Sequence, residues 1–193
     1  MNELEIIRAQ LAVEEAHAAE VANACAAVFG SEGAPATADA TALFREASVS
    51  YLVWVLARFE ERDQTLSELL ASRQSPANGA GAASARHLAG LIARSGTSRE
   101  ALARLEAALA AGETAGAPAH WQEFARFFDS AWAPRRAALA DALAAHLAVA
   151  DWRAVCAIDA DSMLDERNRY ALAVAHLPAG REVRRMPPSE ARS

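Results

Sequence analysis

The chain of 193 residues contains no lysine and only two cysteines, Cys25 and Cys156, which lie far apart in the sequence. Small secreted proteins without a sufficient core depend on several disulfides, and two distant cysteines do not supply such a framework. We therefore expect a cytoplasmic protein in which both cysteines are reduced and act as small buried side chains.

Positive charge and long apolar segments are scarce as well. The formal net charge is −6 and the pI is near 5.4, which disfavours binding to nucleic acid or to an anionic membrane, because both need a basic surface. No uncharged apolar run approaches the roughly 18 residues of a transmembrane helix. The acidic start, with Glu3 and Glu5, differs from the basic first region of a secretory signal. We expect neither a membrane span nor a secretory leader.

Alanine and leucine at helical spacing are what the sequence has in abundance, and the two-residue alternation of a β-strand is nearly missing. Ser95–Gly96 divides the third helical stretch, and Thr97 with Glu100 forms a capping box that restarts it. Asp151 is the expected N-cap of the last helix. Loops with glycine and proline separate the helices, which are predicted at about 3–29, 37–73, 83–111, 119–147 and 151–176.

Short loops between long amphipathic helices make neighbouring helices antiparallel. The sequence thus predicts an all-α fold, an antiparallel up-down four-helix bundle with an extra broken helix or helical hairpin. Residues 1–177 form this single domain, and a mobile tail that contains arginine and proline follows at 178–193. The densest aromatic cluster, between Trp121 and Trp132, is expected to pack in the core.

A carboxylate interrupts the apolar seam of the first helix, because Glu14 falls between Leu11 and Ala18. His17 lies one turn further on the same face. Di-iron carboxylate bundles bind metal with such a Glu-x-x-His pair from each of two helices and a single glutamate from each of the other two. A second pair of this kind is missing from the sequence. The alternative is a helix edge at which both side chains reach solvent.

Three further carboxylates lie on or beside apolar stripes. Asp63 follows Phe59 at the core edge, although the charged run from Glu60 to Asp63 favours a solvated turn. Asp159 and Glu166 fall within or along the stripe of the last helix. A buried carboxylate must bind metal, pair with arginine or face water. Arginine is plentiful, which favours ion pairs, but these carboxylates can also converge with Glu14 on an acidic, metal-binding site.

The layout resembles the hemerythrin-like (HHE) four-helix bundle family over about the first half of the chain. His17 is similar to the lone histidine of that family's first helix. The segment Phe59-Glu60-Glu61-Arg62-Asp63 is similar to its second-helix HxxxE segment, and His87 to the first histidine of its third helix. The resemblance implies a bundle whose residues hold a di-iron centre that senses or carries oxygen.

The chain departs from this family at several ligand positions. Phe59 stands where a histidine ligand belongs, Asp63 replaces glutamate, and Leu91 stands where the partner of His87 is expected. The histidine and aspartate of the fourth helix have no clear counterpart. The resemblance therefore implies that the bundle is kept and that the di-iron site is largely lost.

A second resemblance concerns residues 91–106, whose first part is similar to the turn and recognition helix of bacterial helix-turn-helix regulators. The candidate recognition helix carries Arg99 and Arg104 together with Glu100 and Glu106. The negative net charge disfavours DNA binding by this segment.

The sequence therefore favours a binding protein without catalytic machinery, whose target is a ligand, a metal or a protein partner. The alternatives are a di-metal carboxylate enzyme that uses Glu14 and His17, a homo-oligomeric interaction module with closely packed alanine-rich faces, and a DNA-binding regulator. Any metal is expected to be iron or another divalent cation, although absence of a cofactor is favoured. The candidate metal ligands are Glu14, His17, Asp63, His87, Asp159 and Glu166.

Overall fold

The computed structural model describes residues 2–30, 38–72, 79–128, 148–156 and 160–177. Every regular element in these ranges is helical, which confirms the all-α prediction. The elements are α1 (Glu3–Phe29), α2 (Ala38–Ser72), α3 (Gly79–Ala110), a 3-10 turn (Thr114–Gly116), α4 (residues 117–128), α5 (Val149–Cys156) and α6 (Ala160–Ala175).

The first two helices end within a residue of their predicted bounds. At the start of α1, the Asn2 side chain accepts a hydrogen bond from the backbone N–H of Glu5 at 2.9 Å, and the Glu5 carboxylate accepts one from the Asn2 N–H at 2.7 Å. This capping box satisfies two N–H groups that the helix leaves without partners. At the other end, Gly30 donates to the carbonyl of Ala26 at 3.0 Å. Local chemistry therefore fixes both ends of α1.

The predicted break of the third helix is wrong, because α3 continues through Ser95–Gly96. Gly96 has an ordinary negative φ, and Thr97 is an exposed residue inside the helix and not its cap. A glycine costs a helix interior only about 1 kcal/mol relative to alanine, and the neighbouring helix formers and buried Leu102 outweigh this. Residues 91–106 thus lack the turn of a helix-turn-helix.

The C-terminal part contains two described helices, and Asp151 is not the N-cap of either. It is the third residue of α5, where its carboxylate accepts a hydrogen bond from the backbone N–H of Ala148 at 2.7 Å. Asp151 therefore supports the helix start from inside the first turn. Two predicted segments lie outside the described residues. They are the part of the fourth helix beyond residue 128, which includes Trp132, and the tail at 178–193.

The helices pack around α2, which contacts α1, α3, α5 and α6. Two groups of buried apolar side chains result. The main cluster joins α1, α2, α3, α4 and α6 through residues such as Val21, Phe44, Leu52, Leu105, Phe124 and Ala173. The small cluster joins α1, α2 and α5 through Ile7, Leu66, Leu70, Trp152, Val155 and Cys156.

Buried charged residues separate the two clusters along both α1 and α2. On α1, Glu14 lies between Ile7 of the small cluster and Ala18 of the main cluster; on α2, Arg62 and Asp63 follow the main cluster and precede the small one. We call Glu14, Arg62, Asp63 and Glu166, together with Tyr51 of the main cluster, which donates to Glu166, the polar layer.

Both cysteines are buried and unpaired, as predicted. Burial raises the pKa of the Cys25 thiol to about 12 and that of Cys156 to about 11, because the thiolate is poorly solvated in an apolar surrounding. Their role is packing. None of the described helices combines the length and the apolarity needed to cross a lipid bilayer.

The continuity of α3 can be tested with two glycines. A Cβ built at Gly96 or at Gly112 meets no atom within 4 Å, so the two positions differ in backbone conformation alone: Gly112 has φ of 75° in the turn after α3. We expect Gly96→Ala to raise the free energy of unfolding by about 0.5–1 kcal/mol and Gly112→Ala to lower it by about 1 kcal/mol. Urea denaturation measures both, and a destabilising Gly96→Ala would contradict the continuous helix.

Candidate functional site

The structure brings together His17 of α1 and Glu166 of α6, which are 149 positions apart in sequence. The imidazole Nδ1 lies 2.9 Å from Glu166 Oε1, within hydrogen-bond distance. Glu166 is only 2% exposed, whereas the His17 side chain is 23% exposed. Because a carboxylate only accepts, Nδ1 carries the proton of this bond. In the neutral form of the ring, Nε2 is then a hydrogen-bond acceptor.

Tyr51 of α2 fixes the same carboxylate from a third helix. Its hydroxyl donates to Glu166 Oε1 at 2.9 Å. Burial, together with the neighbouring Glu166, raises the pKa of Tyr51 far above its usual range, so the hydroxyl keeps its proton and remains a donor. Glu166 therefore accepts hydrogen bonds from two helices and cannot rotate freely.

The imidazole of His17 is also held by ring stacking. It lies parallel to the ring of Tyr170, with 3.7 Å between centroids and 9° between planes. The Tyr170 hydroxyl donates to Glu20 Oε2 at 2.5 Å. The rings of Tyr170 and Tyr51 form an edge-to-face contact, with 6.1 Å between their centroids. The orientation of His17 is therefore set by one hydrogen bond and one stacked ring before any ligand arrives.

A cleft of about 620 Å³ between α1 and α6 leads to this histidine. Its walls are largely apolar, and Gln10 and His17 supply polar groups from α1, with Glu166 and Arg167 from α6. We call it the α1–α6 cleft; it is lined by Gln10, Val13, His17, Met163, Glu166, Arg167, Tyr170, Ala171, Val174 and Ala175. An apolar cleft with a few fixed polar groups is the usual form of a small-molecule site.

Glu14 is fully buried and faces a different partner from its neighbour His17. Its Oε2 accepts a hydrogen bond from Arg62 Nη1 at 2.5 Å, and Arg62 Nε donates to the carbonyl of Cys156 at 3.1 Å. Gln10 Nε2 lies 3.4 Å from Glu14 Oε1, and Arg58 Nη2 lies 3.9 Å from the same oxygen. A buried carboxylate must bind metal, pair with arginine or face water, and Glu14 pairs with arginine.

The remaining candidate ligands are distributed as follows. Asp63 is 1% exposed and thus does not lie in a solvated turn. Asp159 and the side chain of His87 lie outside the described residues. In the described part of the chain, no three His, Cys, Asp or Glu side chains gather closely enough to hold a metal ion. The acidic metal site, and the iron or other cation it would hold, stay predictions.

No family model, no curated protein and no solved structure matches this chain. The geometry of the site is therefore the basis for a proposed function.

Three residues of the site were not among the predicted ones. They are Tyr51, Tyr170 and Arg62, of which Arg62 belongs to the charged run from Glu60 to Asp63 that favours a solvated turn. A signal was available for the tyrosine of α6, because Tyr170 follows Glu166 by four residues and therefore shares its face. No local signal marks Arg62 as buried, because its partner Glu14 comes from another helix.

Breaking the Glu14–Arg62 pair is expected to lower the free energy of unfolding more than the other substitutions considered. Glu14→Leu leaves a buried guanidinium without its carboxylate, and we expect a loss of about 3–5 kcal/mol in the free energy of unfolding. The double variant Glu14→Leu/Arg62→Met replaces the pair by apolar groups and should recover at least half of that loss. Urea denaturation measures both.

The exposed pair between Arg153 and Glu3 supplies a matched control. Arg153→Met should change stability little, because solvent screens such a pair. A double variant as unstable as Glu14→Leu alone would show that the cost does not come from the unpaired charge.

Proposed function

We propose that this protein binds a small, mostly apolar molecule in the α1–α6 cleft, with His17 as the polar contact. The observation that carries the proposal is the His17–Glu166 hydrogen bond of 2.9 Å at the wall of that cleft. With Nδ1 engaged by Glu166, Nε2 is the ring nitrogen left for a ligand.

The lining indicates the class of ligand. Val13, Met163 and Val174 offer an apolar wall, and Nε2 offers one hydrogen-bond acceptor when the imidazole is neutral. A molecule with an apolar body and a single hydroxyl fits both features, because its hydroxyl keeps a hydrogen bond when it leaves water. The stacked ring of Tyr170 and the hydrogen bond from Tyr51 to Glu166 hold the His17 imidazole in place. This lowers the conformational-entropy cost of ordering the imidazole when a ligand binds.

Binding of a metal by an acidic cluster, related to the hemerythrin-like resemblance, is the competing proposal. We favour the organic ligand because Glu14, which the metal site needs, already accepts a short hydrogen bond from Arg62. Elemental mass spectrometry of protein grown with iron and manganese separates the two, since one or two bound ions per chain would support the metal.

We infer an antiparallel arrangement of the long helices and a cytoplasmic location, supported by the short predicted loops and the buried free thiols. Self-association is supported by large apolar side chains on the surface of α6, where Leu164 and Leu172 are each 56% exposed.

The ligand prediction can be tested with cyclohexanol and cyclohexane, which share the six-membered apolar ring and differ in the hydroxyl. In protein labelled with ¹⁵N-histidine, cyclohexanol should shift the His17 Nε2 resonance, because it donates a hydrogen bond to it, and cyclohexane should not. His17→Phe keeps a ring on Tyr170 but removes the acceptor, so it should weaken cyclohexanol binding about 2- to 10-fold.

His120→Phe is the matched control, because His120 lies on α4 and does not line the cleft. It should leave cyclohexanol binding unchanged. Equal affinity of His17→Phe and the original chain for cyclohexanol would refute His17 as the polar contact.

Self-association has its own test in sedimentation velocity. We expect a dimer that Leu164→Gln/Leu172→Gln converts to monomer, because the change removes exposed apolar area from α6. Leu43→Gln on α2, where the side chain is 49% exposed, should leave the dimer intact. A monomeric original chain at micromolar concentration would end this part of the proposal.

A further inference from the structure

The imidazole of His17 has one nitrogen that the fold uses and one that it leaves open. Nδ1 donates to Glu166, and Tyr170 covers one face of the ring. Nε2 makes no hydrogen bond to any residue that the structure describes, and it is not among the nitrogens that are buried there without a partner. The exposed part of the His17 side chain therefore includes Nε2, and this side chain lines the α1–α6 cleft.

The buried carboxylate of Glu166 also acts on the charge of the ring. When Nε2 takes up a proton, the imidazole becomes a cation, and its Nδ1–H then donates a charge-assisted hydrogen bond to Glu166. Because Glu166 is only 2% exposed, water screens this attraction little. The pair therefore favours proton uptake at Nε2 more than a solvated imidazole alone would.

Two tyrosines hold the pair in this arrangement before any ligand is bound. The Tyr51 hydroxyl donates to Glu166 Oε1, the same oxygen that lies 2.9 Å from His17 Nδ1. Tyr170 is stacked on the imidazole, with 3.7 Å between ring centroids. A held carboxylate, an imidazole oriented by it and an open Nε2 are the parts of a general base that needs little reorganisation.

The lining of the α1–α6 cleft limits what this base can act on. It contains no serine, threonine or cysteine among the described residues, so it offers His17 no such nucleophile to activate, and direct proton transfer from a bound molecule is left. Val13, Met163 and Val174 require an apolar skeleton. Arg167 places positive charge in the same lining, which favours the negative charge that develops when a carbon loses its proton.

We propose that His17, positioned by Glu166, is a general base that removes a proton from the carbon next to the carbonyl group of an apolar ketone. The proton bonds to Nε2, the C–H bond breaks, and its electron pair forms a C=C bond as a leaving group departs from the next carbon with the electrons of its own bond. The imidazolium then returns its proton to water. This inference rests on the function proposed above, because the substrate must enter the α1–α6 cleft.

The test substrate is the 4-nitrophenyl ether of 4-hydroxybutan-2-one, which releases coloured 4-nitrophenolate when it loses the proton beside its carbonyl group. We expect kcat/KM of the original chain to exceed the second-order rate constant of free imidazole about 100-fold or more. Cyclohexanol should inhibit competitively, because its hydroxyl occupies Nε2. His17→Phe should lower turnover about 100-fold, and His120→Phe, which is outside the cleft, should leave it unchanged.

Glu166→Gln tests the positioning residue. The amide oxygen still accepts a hydrogen bond from Nδ1 but carries no charge to stabilise the imidazolium, so kcat should fall about tenfold while KM changes little. Loss of binding together with loss of turnover in this variant would indicate a merely structural role and would contradict the assignment of Glu166.

Chemical rescue separates catalysis from a folding defect. His17→Ala leaves space beside Tyr170, so added imidazole should raise its turnover several-fold above the rate of imidazole alone, whereas His17→Phe should gain nothing. Circular dichroism checks that each variant is helical. An original chain no faster than free imidazole, or His17→Phe as active as the original chain, overturns the general base. If cyclohexanol still shifts the Nε2 resonance in that case, the binding site stands and only the catalysis fails.

Discussion

The hydrogen-bonded ion pair between Glu14 and Arg62 is the constraint on which the packing of α1, α2 and α5 depends. Removing a carboxylate and a guanidinium from water costs several kcal/mol per ion unless they meet in good geometry. Arg62 satisfies this condition with Glu14 on α1 and also donates to the Cys156 carbonyl of α5. A slip of one turn between α1 and α2 would separate Arg62 from Glu14 and leave a buried guanidinium without its carboxylate, a cost that apolar contacts alone do not impose.

Glu166 plays the corresponding part for α6. Its oxygen accepts from Tyr51 of α2 and faces His17 of α1, so one buried carboxylate ties three helices. The two apolar clusters above and below supply most of the stabilising burial, but apolar contacts have little directional preference. Polar partners at fixed distances make one arrangement of the helices favourable, and that arrangement holds His17 at the wall of its cleft.

The limits of prediction from sequence follow from the same distinction between local and distant interactions. The bounds of α1 and α2 were predictable because periodicity, caps and loop residues act within a few positions. The predicted break at Ser95–Gly96 was wrong because neighbouring helix formers and the packing of α3 on α2 keep the helix continuous. The local turn signal contains no information on that packing. Periodicity placed Glu14 in the seam, yet it could not supply Arg62, and 149 positions separate His17 from Glu166.

Helix α6 shows how one helix supplies residues to two different clefts. Glu166 and Tyr170 are four residues apart, so helical geometry places them on one face, toward the α1–α6 cleft. Arg169 is rotated about 100° from Tyr170 and lines a different cleft, whose other walls come from α2 and α3. Because Tyr51 of α2 donates to Glu166, the bond that orients His17 also sets the position of α6 against α2. The contact between Arg169 and the Trp54 ring, 5.2 Å from Cζ to the centroid, joins the same two helices as this bond.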